Sequence, residues 1–192
     1  MRSLNQALRG TGIVDVRISE PGKGEISPKW KVSGHSPTAE PFNMRVEVSR
    51  RPAPPGSVKQ AAVSGVASYG LGTYYVDLYE EKTLAAMKLA ALLGRTATRD
   101  VCDLDLLLPS HIPGRELIDW ALSHVSITPD QASRAVQEKL ASMAWTLFQT
   151  QMLGDSALLA RTTDASWHEM RARVGKILTH VLDQHALNGA AS

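Results

Sequence analysis

The feature that most constrains the fold is a change in hydrophobic period near Glu80. Before it, three segments alternate their side chains between two faces and are separated by turns that contain Gly or Pro: 12–19, 29–34 and 43–50. After it, apolar residues recur at helical spacing in five segments: 80–94, 99–108, 114–125, 129–153 and 164–187. Strands followed by helices predict an α+β fold.

The strand-rich part has a break of its own. The segment "RPAPPGS" (51–57) carries three prolines, which interrupt a strand pattern. A softer apolar run follows it and leads into "TYYVDLY" (73–79), so we expect strands on both sides of a loop there. The sequence therefore predicts a small antiparallel sheet in a β-rich part, residues 1–79, and a bundle of about five helices in residues 80–192.

Composition limits the class of protein more than its function. The chain has 192 residues, 43% of them hydrophobic, and a net charge of +2, so it can bury a core and has no strong overall attraction for polyanions. Its single cysteine, Cys102, excludes an internal disulfide and suits a reducing compartment. No apolar stretch is long enough to span a membrane. We expect a cytoplasmic protein without a membrane partner.

The segment 129–153 is predicted to be one long helix that ends at Gly154. It carries a wide apolar stripe, formed by Ala135, Val136, Leu140, Met143, Ala144, Leu147, Phe148 and Met152. Trp145 falls away from the centre of this stripe. A bundle core is the commoner explanation for such a pattern, and a surface for a protein partner is the alternative.

A regular set of charges interrupts the apolar helices between residues 88 and 103. Lys88 lies beside the apolar stripe of the helix that begins at Glu80, and Gly94 is expected to end that helix. Asp100 and Asp103 are three residues apart, so their carboxylates should share one face of the next helix. Asp100 is also close to that helix's N-terminus, where a negative charge is favoured.

Two interpretations of these charges are open. In the structural one, Lys88 extends its amine to solvent, the arginines are solvated, and the aspartates offset the helix dipole or pair with the arginines. In the functional one, Lys88, Arg95 and Arg99 gather over one pocket and hold a phosphate chain. Asp100 would then orient one of these cations or a metal-bound water.

The order Lys-x-x-Ala-Leu, Arg, Arg-Asp-x-x-Asp-Leu, followed by further leucines, resembles a motif of the AbiEii/AbiGii-type nucleotidyltransferase toxins. It comprises Lys88, Ala91, Leu92, Arg95, Arg99, Asp100, Asp103 and Leu104. This family occurs in type IV toxin–antitoxin and abortive-infection systems, which act in phage defence. The preceding strand "MRVEVSR" and the lead-in "DLYEEKTLAAMK" are also similar, so the resemblance covers residues 43–108 well and the later helices in outline.

The resemblance implies a polymerase-β-like nucleotidyltransferase fold that uses Mg²⁺ and an NTP. Lys88 would contact the nucleotide phosphates together with Arg95 and Arg99. Asp100 would belong to the active-site wall, and Glu47 would stand where some members place a third acidic residue. Asp103 would support these groups from behind.

The sequence departs from the family in its first catalytic motif. That motif is a Gly-Gly or Gly-Ser turn followed a short distance later by Asp-x-Asp or Asp-x-Glu. Gly56-Ser57 is followed by "VKQAAVSGVASYG", which contains no acid, and Asp15 has Arg17 where the second acid should be. Whether the chain is an enzyme is therefore left open.

Three explanations of the departure are open. The first in rank is that the chain is one half of an enzyme completed by a second protein chain, and the second is that it is a degenerate relative used for binding. The third is that it is a piece of a longer gene product, which the initial Met mildly disfavours. The leading hypothesis is a nucleotidyltransferase-like protein that acts with, or regulates, a second chain. The rival hypothesis is a non-catalytic pseudoenzyme that binds nucleic acid or protein within a larger assembly.

Basic residues on and after the strands supply the nucleic-acid part of the rival hypothesis. Arg50 and Arg51 precede the proline-rich loop, and Lys29, Lys31 and Arg45 lie on the predicted strands. Together they could form a rim that holds the backbone of RNA or DNA without reading its sequence. Ordinary solvated charge is the alternative.

Overall fold

The structure is a computed structural model that describes residues 14–21, 27–36, 38–48, 52–56, 58–63 and 74–190. The chain forms two compact units, residues 1–53 and residues 54–192. The change from strands to helices falls at Glu80, whereas the boundary between the two units along the chain falls between Ala53 and Pro54.

The first unit contains three antiparallel strands in the order β1-β2-β3, namely β1 (Val14–Ile18), β2 (Lys29–His35) and β3 (Pro41–Glu47). The predicted strands are confirmed, with ends that differ by a few residues. Successive side chains alternate between faces, and the register aligns one apolar face, which consists of Ile18, Trp30, Val32, Phe42, Met44 and Val46. Val32 is buried and its apolar neighbours are half-buried, so the opposite face is the solvent face.

The second unit begins with an antiparallel hairpin, β4 (Val58–Val63) and β5 (Tyr74–Tyr79), which confirms the strands expected on both sides of a loop. Helices make up the rest of its described residues: α1 (Glu81–Gly94), α2 (Thr98–Leu107), α3 (Arg115–His124), α4 (Pro129–Ala141), α5 (Trp145–Gln151), α6 (Ser156–Arg161) and α7 (Asp164–Ala190). The α+β class with small antiparallel sheets is confirmed.

The predicted helix over 129–153 is wrong in its continuity, because the chain bends between α4 and α5. Ala144 has an extended backbone, with φ −63° and ψ 161°. The carbonyls at the end of α4 are satisfied from α7 instead: Arg171 Nη1 donates to Leu140 O at 3.0 Å and to Met143 O at 2.7 Å. Trp167 Nε1 also donates to Met143 O, at 3.1 Å. These tertiary donors replace the helical hydrogen bonds that a continuous helix would need.

Most of the predicted apolar stripe lies in the bundle core. Met143, Phe148 and Trp167 are fully buried, and the rings of Phe148 and Trp167 are 4.6 Å apart between centroids. Trp145 is half-buried and stacks on Phe148 at 5.2 Å. The core interpretation of the stripe is therefore confirmed for its large members, since Met152 is buried as well.

Candidate functional site

Helix α1 places Lys88 at the edge of the bundle core. Leu89 and Leu92 on the same helix are buried, whereas the Lys88 side chain is 32% exposed. The helix ends at Gly94, where a Cβ would lie 3.3 Å from Val125 Cγ1. A glycine therefore allows the end of α1 to approach the residue that follows α3.

A short turn then directs Arg95 back toward helix α2. Arg95 has an extended backbone, with φ −148° and ψ 166°, and α2 begins at Thr98. Arg95 Nε donates to Asp100 Oδ2 at 2.8 Å, and Arg95 Nη2 donates to Asp100 Oδ1 at 2.9 Å. This two-point pairing is the strong, planar geometry of an arginine–carboxylate pair, so it fixes the guanidinium relative to α2.

Lys88 joins the same pair from helix α1. Its Nζ lies 3.3 Å from Asp100 Oδ1 and 2.5 Å from Asp103 Oδ2. Asp100 and Asp103 share one face of α2, as their spacing predicts. Lys88, Arg95, Asp100 and Asp103 thus form one connected group, which we call the Lys–Arg–Asp cluster.

Exposure differs sharply within the Lys–Arg–Asp cluster. The Asp100 side chain is 1% exposed, while that of Arg95 is 61% exposed and that of Asp103 is 30% exposed. The carboxylate of Asp100 is therefore the buried anchor, and the cations extend from it toward solvent. Both oxygens of Asp100 already accept hydrogen bonds, from Arg95 and from Lys88.

The pKa of Asp100 follows from two opposing effects. Burial alone raises the pKa of this carboxyl group, but the hydrogen bonds and charge of Arg95, together with Lys88, outweigh burial and lower the pKa below its usual value. The hydrogen bonds that Arg95 donates to Asp100 raise the pKa of Arg95 in turn. Asp100 is therefore ionised near neutral pH, and its negative charge holds both cations.

A glutamine that sequence reasoning missed, Gln151, holds the start of α2. Gln151 Oε1 accepts from the backbone N–H of Thr98 at 2.8 Å and from its hydroxyl at 3.0 Å. Gln151 Nε2 donates to Thr96 O at 2.9 Å. Because Thr96 and Thr98 lie between Arg95 and Asp100, Gln151 on α5 holds the turn that the ion pair closes. No sequence signal identifies Gln151, since it is 53 residues from Thr98.

A second ion pair holds α2 on helix α7. Arg173 Nε and Nη2 donate to the two carboxylate oxygens of Asp105, at 3.0 Å and 2.9 Å. The pKa of Arg173 is raised by this hydrogen-bonded partner. Bidentate arginine pairs therefore fasten α2 both to the turn that follows α1 and to α7.

Arg99 and Cys102 lie on α2 but outside the Lys–Arg–Asp cluster. The Arg99 side chain is exposed, and within the described part of the chain it forms no ion pair. The Cys102 thiol is buried, and burial, helped by the charge of Asp103, raises its pKa to about 11. A thiol with so high a pKa carries little thiolate at neutral pH, and Cys102 packs among the buried residues of the helical core.

The other predicted site residues belong to the first unit or lie outside the described residues. Glu47 is on β3, half-exposed, with its Oε1 3.6 Å from Lys29 Nζ. Arg45 is opposite Lys31 in the register of β2 and β3. Arg50 and Arg51 fall outside the described residues.

Asp15, which lies in a suitable strand but lacks the second acid of the family's first motif, has a left-handed backbone with φ 54°. It lies where the register of β1 shifts, between Val14 and Arg17. Its Oδ2 is 3.6 Å from His35 Nδ1 across the sheet. Asp15 is therefore paired with a histidine on β2, and no second acid adjoins it in β1, because Arg17 stands there.

The cations of the Lys–Arg–Asp cluster keep hydrogen-bond donors that the two aspartates do not use. Lys88 keeps one N–H and Arg95 keeps three N–H groups beyond those that contact Asp100 and Asp103. Mg²⁺ does not fit the cluster in this arrangement, because both oxygens of Asp100 are engaged by cations and Asp103 contacts Lys88. The described residues also contain no group of three or more His, Cys, Asp or Glu side chains placed to hold a metal ion.

The fold and the site define an α+β protein with small antiparallel sheets and a helical bundle, in which a lysine and an arginine converge on one buried aspartate. The family model described as "Nucleotidyl transferase AbiEii toxin, Type IV TA system" matches residues 1–174, and the chain belongs to this family. No curated protein and no solved structure matches the chain.

The family match confirms the resemblance and extends it. It begins at residue 1, so it includes the first strands as well as the region 43–108 that carries the motif. The expectation that the family likeness is confined to the C-terminal part is not supported. Within the described ranges, no helix has the length and apolarity needed to cross a membrane.

Proposed function

We propose that this AbiEii-family chain is a nucleotidyltransferase-like toxin in which the Lys–Arg–Asp cluster binds the phosphates of an NTP. Lys88 and Arg95 supply the donors, and exposed Arg99 adds positive charge beside them. Asp100 acts by orienting both cations, and Asp103 holds Lys88 from the other side. The observation that carries this proposal is the bidentate pairing of Arg95 with a carboxylate that is 1% exposed.

This geometry supports phosphate binding more than it supports an inert surface ion pair. The structural interpretation of the charges includes a pair between aspartate and arginine, and such a pair is present. It does not explain why Lys88 on α1 converges on the same carboxylate. A fixed, partly exposed pair of cations is pre-organised for a multiply charged anion, because little side-chain entropy remains to be lost on binding.

We further propose that the metal-binding acids of the reaction come from a second chain, and that Mg²⁺ enters only with that chain and the NTP. In the family's own sequence pattern these acids follow a Gly-Ser or Gly-Gly turn, whereas residues 58–70 contain none. The partner in a toxin–antitoxin system is an antitoxin, and the second chain is either that protein or a further subunit. Glu47 is kept as the proposed contribution of this chain to the acidic set.

One observation favours a second candidate function, a binding module without catalysis. Both oxygens of Asp100 are occupied by cations, so this carboxylate cannot also bind a metal ion without breaking the cluster. In a pseudoenzyme the cluster would still hold a nucleotide or another polyanion, and the protein would act through a partner or a nucleic acid.

Transfer of label separates these two functions. Each α-labelled NTP is incubated with Mg²⁺, total RNA and protein acceptors, first with this chain alone and then with the product of the adjacent gene. The proposal predicts label that requires both chains and is lost in Lys88→Ala, while Lys82→Ala on the same helix keeps it. No label in any mixture that contains folded protein would favour the binding module.

A further inference from the structure

The solvent face of the three-stranded sheet is basic. Register places Lys31 directly opposite Arg45, and Arg17 lies on the neighbouring strand β1, opposite Ser33. All three basic side chains are exposed, in contrast to the apolar face on the other side of the same strands. We call Arg17, Lys31 and Arg45 the basic sheet face.

The two carboxylates that lie on the strands of this face, Glu47 and Asp15, are at its ends, and each has a partner. Glu47 lies 3.6 Å from Lys29 at one end, and Asp15 lies 3.6 Å from His35 at the other. Within the described ranges, no carboxylate forms an ion pair with Arg17, Lys31 or Arg45. The centre of the face therefore carries three positive charges without a counter-charge from these residues.

The opposed pair Lys31 and Arg45 is unfavourable by itself. Directly opposite residues on neighbouring antiparallel strands have Cβ atoms about 5 Å apart, and like charges at that distance repel. Neutral polar residues at positions 31 and 45 would avoid this repulsion without changing the apolar face of the sheet. Placing two cations in this position weakens the sheet slightly in isolation and strengthens it when an anion bridges them.

The spacing of the charges indicates an extended anion. Neighbouring strands are about 4.8 Å apart, and side chains on one face of a strand recur about every 6.6 Å, so the three cations cover an area larger than one phosphate. The described residues of this face provide no aromatic platform for base stacking, because Trp30 and Phe42 are on the opposite face. Polar Ser33 and Asn43, in the same row as Arg17, add hydrogen-bonding groups of the kind that contact phosphate and sugar.

We propose that the basic sheet face binds the sugar–phosphate backbone of a nucleic acid without reading its sequence. The inference goes beyond the proposed nucleotidyl transfer and does not depend on it, because the charges belong to the first unit whereas the Lys–Arg–Asp cluster belongs to the second. The ligand is RNA or DNA, since both present the same negatively charged sugar–phosphate backbone.

The proposal is tested by fluorescence anisotropy of labelled single-stranded RNA and DNA of mixed sequence with the full chain, over a range of monovalent salt and without nucleotide. The variant Lys31→Ala/Arg45→Ala removes two contacts, and each phosphate contact on a single strand adds about 0.7 to the log–log salt slope. We expect the slope to fall by about 1.4 and the affinity at about 0.1 M salt to weaken by about tenfold or more.

The control variant is Arg115→Ala/Arg134→Ala, which removes the same net charge from exposed helical positions. Binding of RNA, of DNA or of both supports the proposal when only the sheet variant loses affinity and slope. Equal losses in the two variants, or no loss in the sheet variant, would overturn it. Equally tight binding of polyglutamate would also overturn it, because the face would then select negative charge in general and an acidic protein segment would fit as well.

A folding check accompanies the measurement. Circular dichroism should show both double variants folded, because all four side chains are exposed. Thermal unfolding of the control should match that of the unchanged protein, and the sheet variant should be equally stable or slightly more stable, since the repulsion between its two cations is removed. If the sheet variant unfolds, Lys31→Gln replaces it and is expected to lower the slope by about 0.7. A folded Lys31→Gln with an unchanged slope would contradict the proposal. An outcome in which the unchanged protein binds neither RNA nor DNA while NTP binding persists would reject the basic sheet face and leave the proposed function intact.

Discussion

The two basic regions of this protein use the same side chains in opposite ways. In the Lys–Arg–Asp cluster, Lys88 and Arg95 are held by a carboxylate that is almost fully buried. On the basic sheet face, Lys31 and Arg45 oppose each other with no carboxylate between them. The first arrangement fixes the orientation of the cationic side chains, and the second leaves the cations free to pair with a bound anion.

This difference teaches what each region can select. Cations whose geometry is fixed by a buried partner can distinguish ligands by shape, because they cannot rearrange to suit a different one. Unpaired, solvated cations on a flat face attract any strand of phosphates, and salt screens that attraction. A small nucleotide suits the cluster, and a long backbone suits the sheet.

The largest expected effect comes from removing the anchor of the cluster. In Asp100→Ala, Arg95 and Lys88 lose their shared partner, and the free energy of unfolding should fall by about 2–3 kcal/mol, since hydrogen bonds to charged groups are the strong ones. Asp103→Ala, at a more exposed position, should cost about 0.5–1 kcal/mol. Urea unfolding measures both. Equal, small losses in the two variants would mean that Asp100 does not anchor the cluster.

The same anchor gives a pH dependence with a definite sign. The pKa of Asp100 is lowered in the folded protein, so its stabilisation is present above the unfolded pKa of about 3.9 and is lost as pH falls through the folded value. The difference in unfolding free energy between the unchanged protein and Asp100→Asn should be constant from about pH 7 to about pH 5 and should shrink below about pH 4. A difference that grows toward acid pH would contradict the account.

A smaller effect is expected from the clamp on the turn between α1 and α2. Gln151→Ala leaves the N–H and hydroxyl of Thr98 without their acceptor and should lower the free energy of unfolding by about 1–2 kcal/mol. Gln151→Glu keeps the acceptor for Thr98 and loses the donor to Thr96. Its free energy of unfolding should therefore lie between those of the unchanged protein and Gln151→Ala. Gln149→Ala, exposed on the same helix, is the control. Identical stability of the Gln151 and Gln149 variants would show that the clamp contributes nothing.

The smallest expected effect comes from charge changes on the basic sheet face, where Lys31 and Arg45 oppose each other without a carboxylate partner. Lys31→Glu would face Arg45 with an opposite charge and should raise the free energy of unfolding by about 0.2–1 kcal/mol. Lys29→Glu would face Glu47 instead and should lower it by a similar amount. Thermal unfolding at low salt measures both changes. Two changes of the same sign would argue against the register-based explanation.

Local pattern was enough to predict the strands, the class of fold and the shared face of Asp100 and Asp103, because alternation and helical spacing are properties of neighbouring residues. It was not enough for the bend after α4, which depends on donors from Trp167 and Arg171. Gln151 was missed for the same reason. Hydrogen bonds between residues far apart in sequence produce no local pattern from which they could be predicted.

The arrangement of the charged side chains between residues 88 and 103 could be predicted only in part. The sequence offered both a pairing of aspartate with arginine and a common phosphate pocket for Lys88, Arg95 and Arg99. The first is present as a contact, and Lys88 joins it. Arg99 lies outside the cluster, because within the described residues it forms no ion pair with Asp100 or Asp103. The catalytic roles of Asp100 and Glu47 and the need for Mg²⁺ stay predictions.

The most direct test of the central claim is isothermal titration of an NTP into the full chain, compared with Lys88→Ala and with the control Lys82→Ala. The account predicts saturable binding that weakens from triphosphate to diphosphate to monophosphate, is retained in Lys82→Ala and is lost in Lys88→Ala. Binding that is equally strong in both variants, or no binding by the unchanged protein, would contradict the assignment of the Lys–Arg–Asp cluster as the phosphate site.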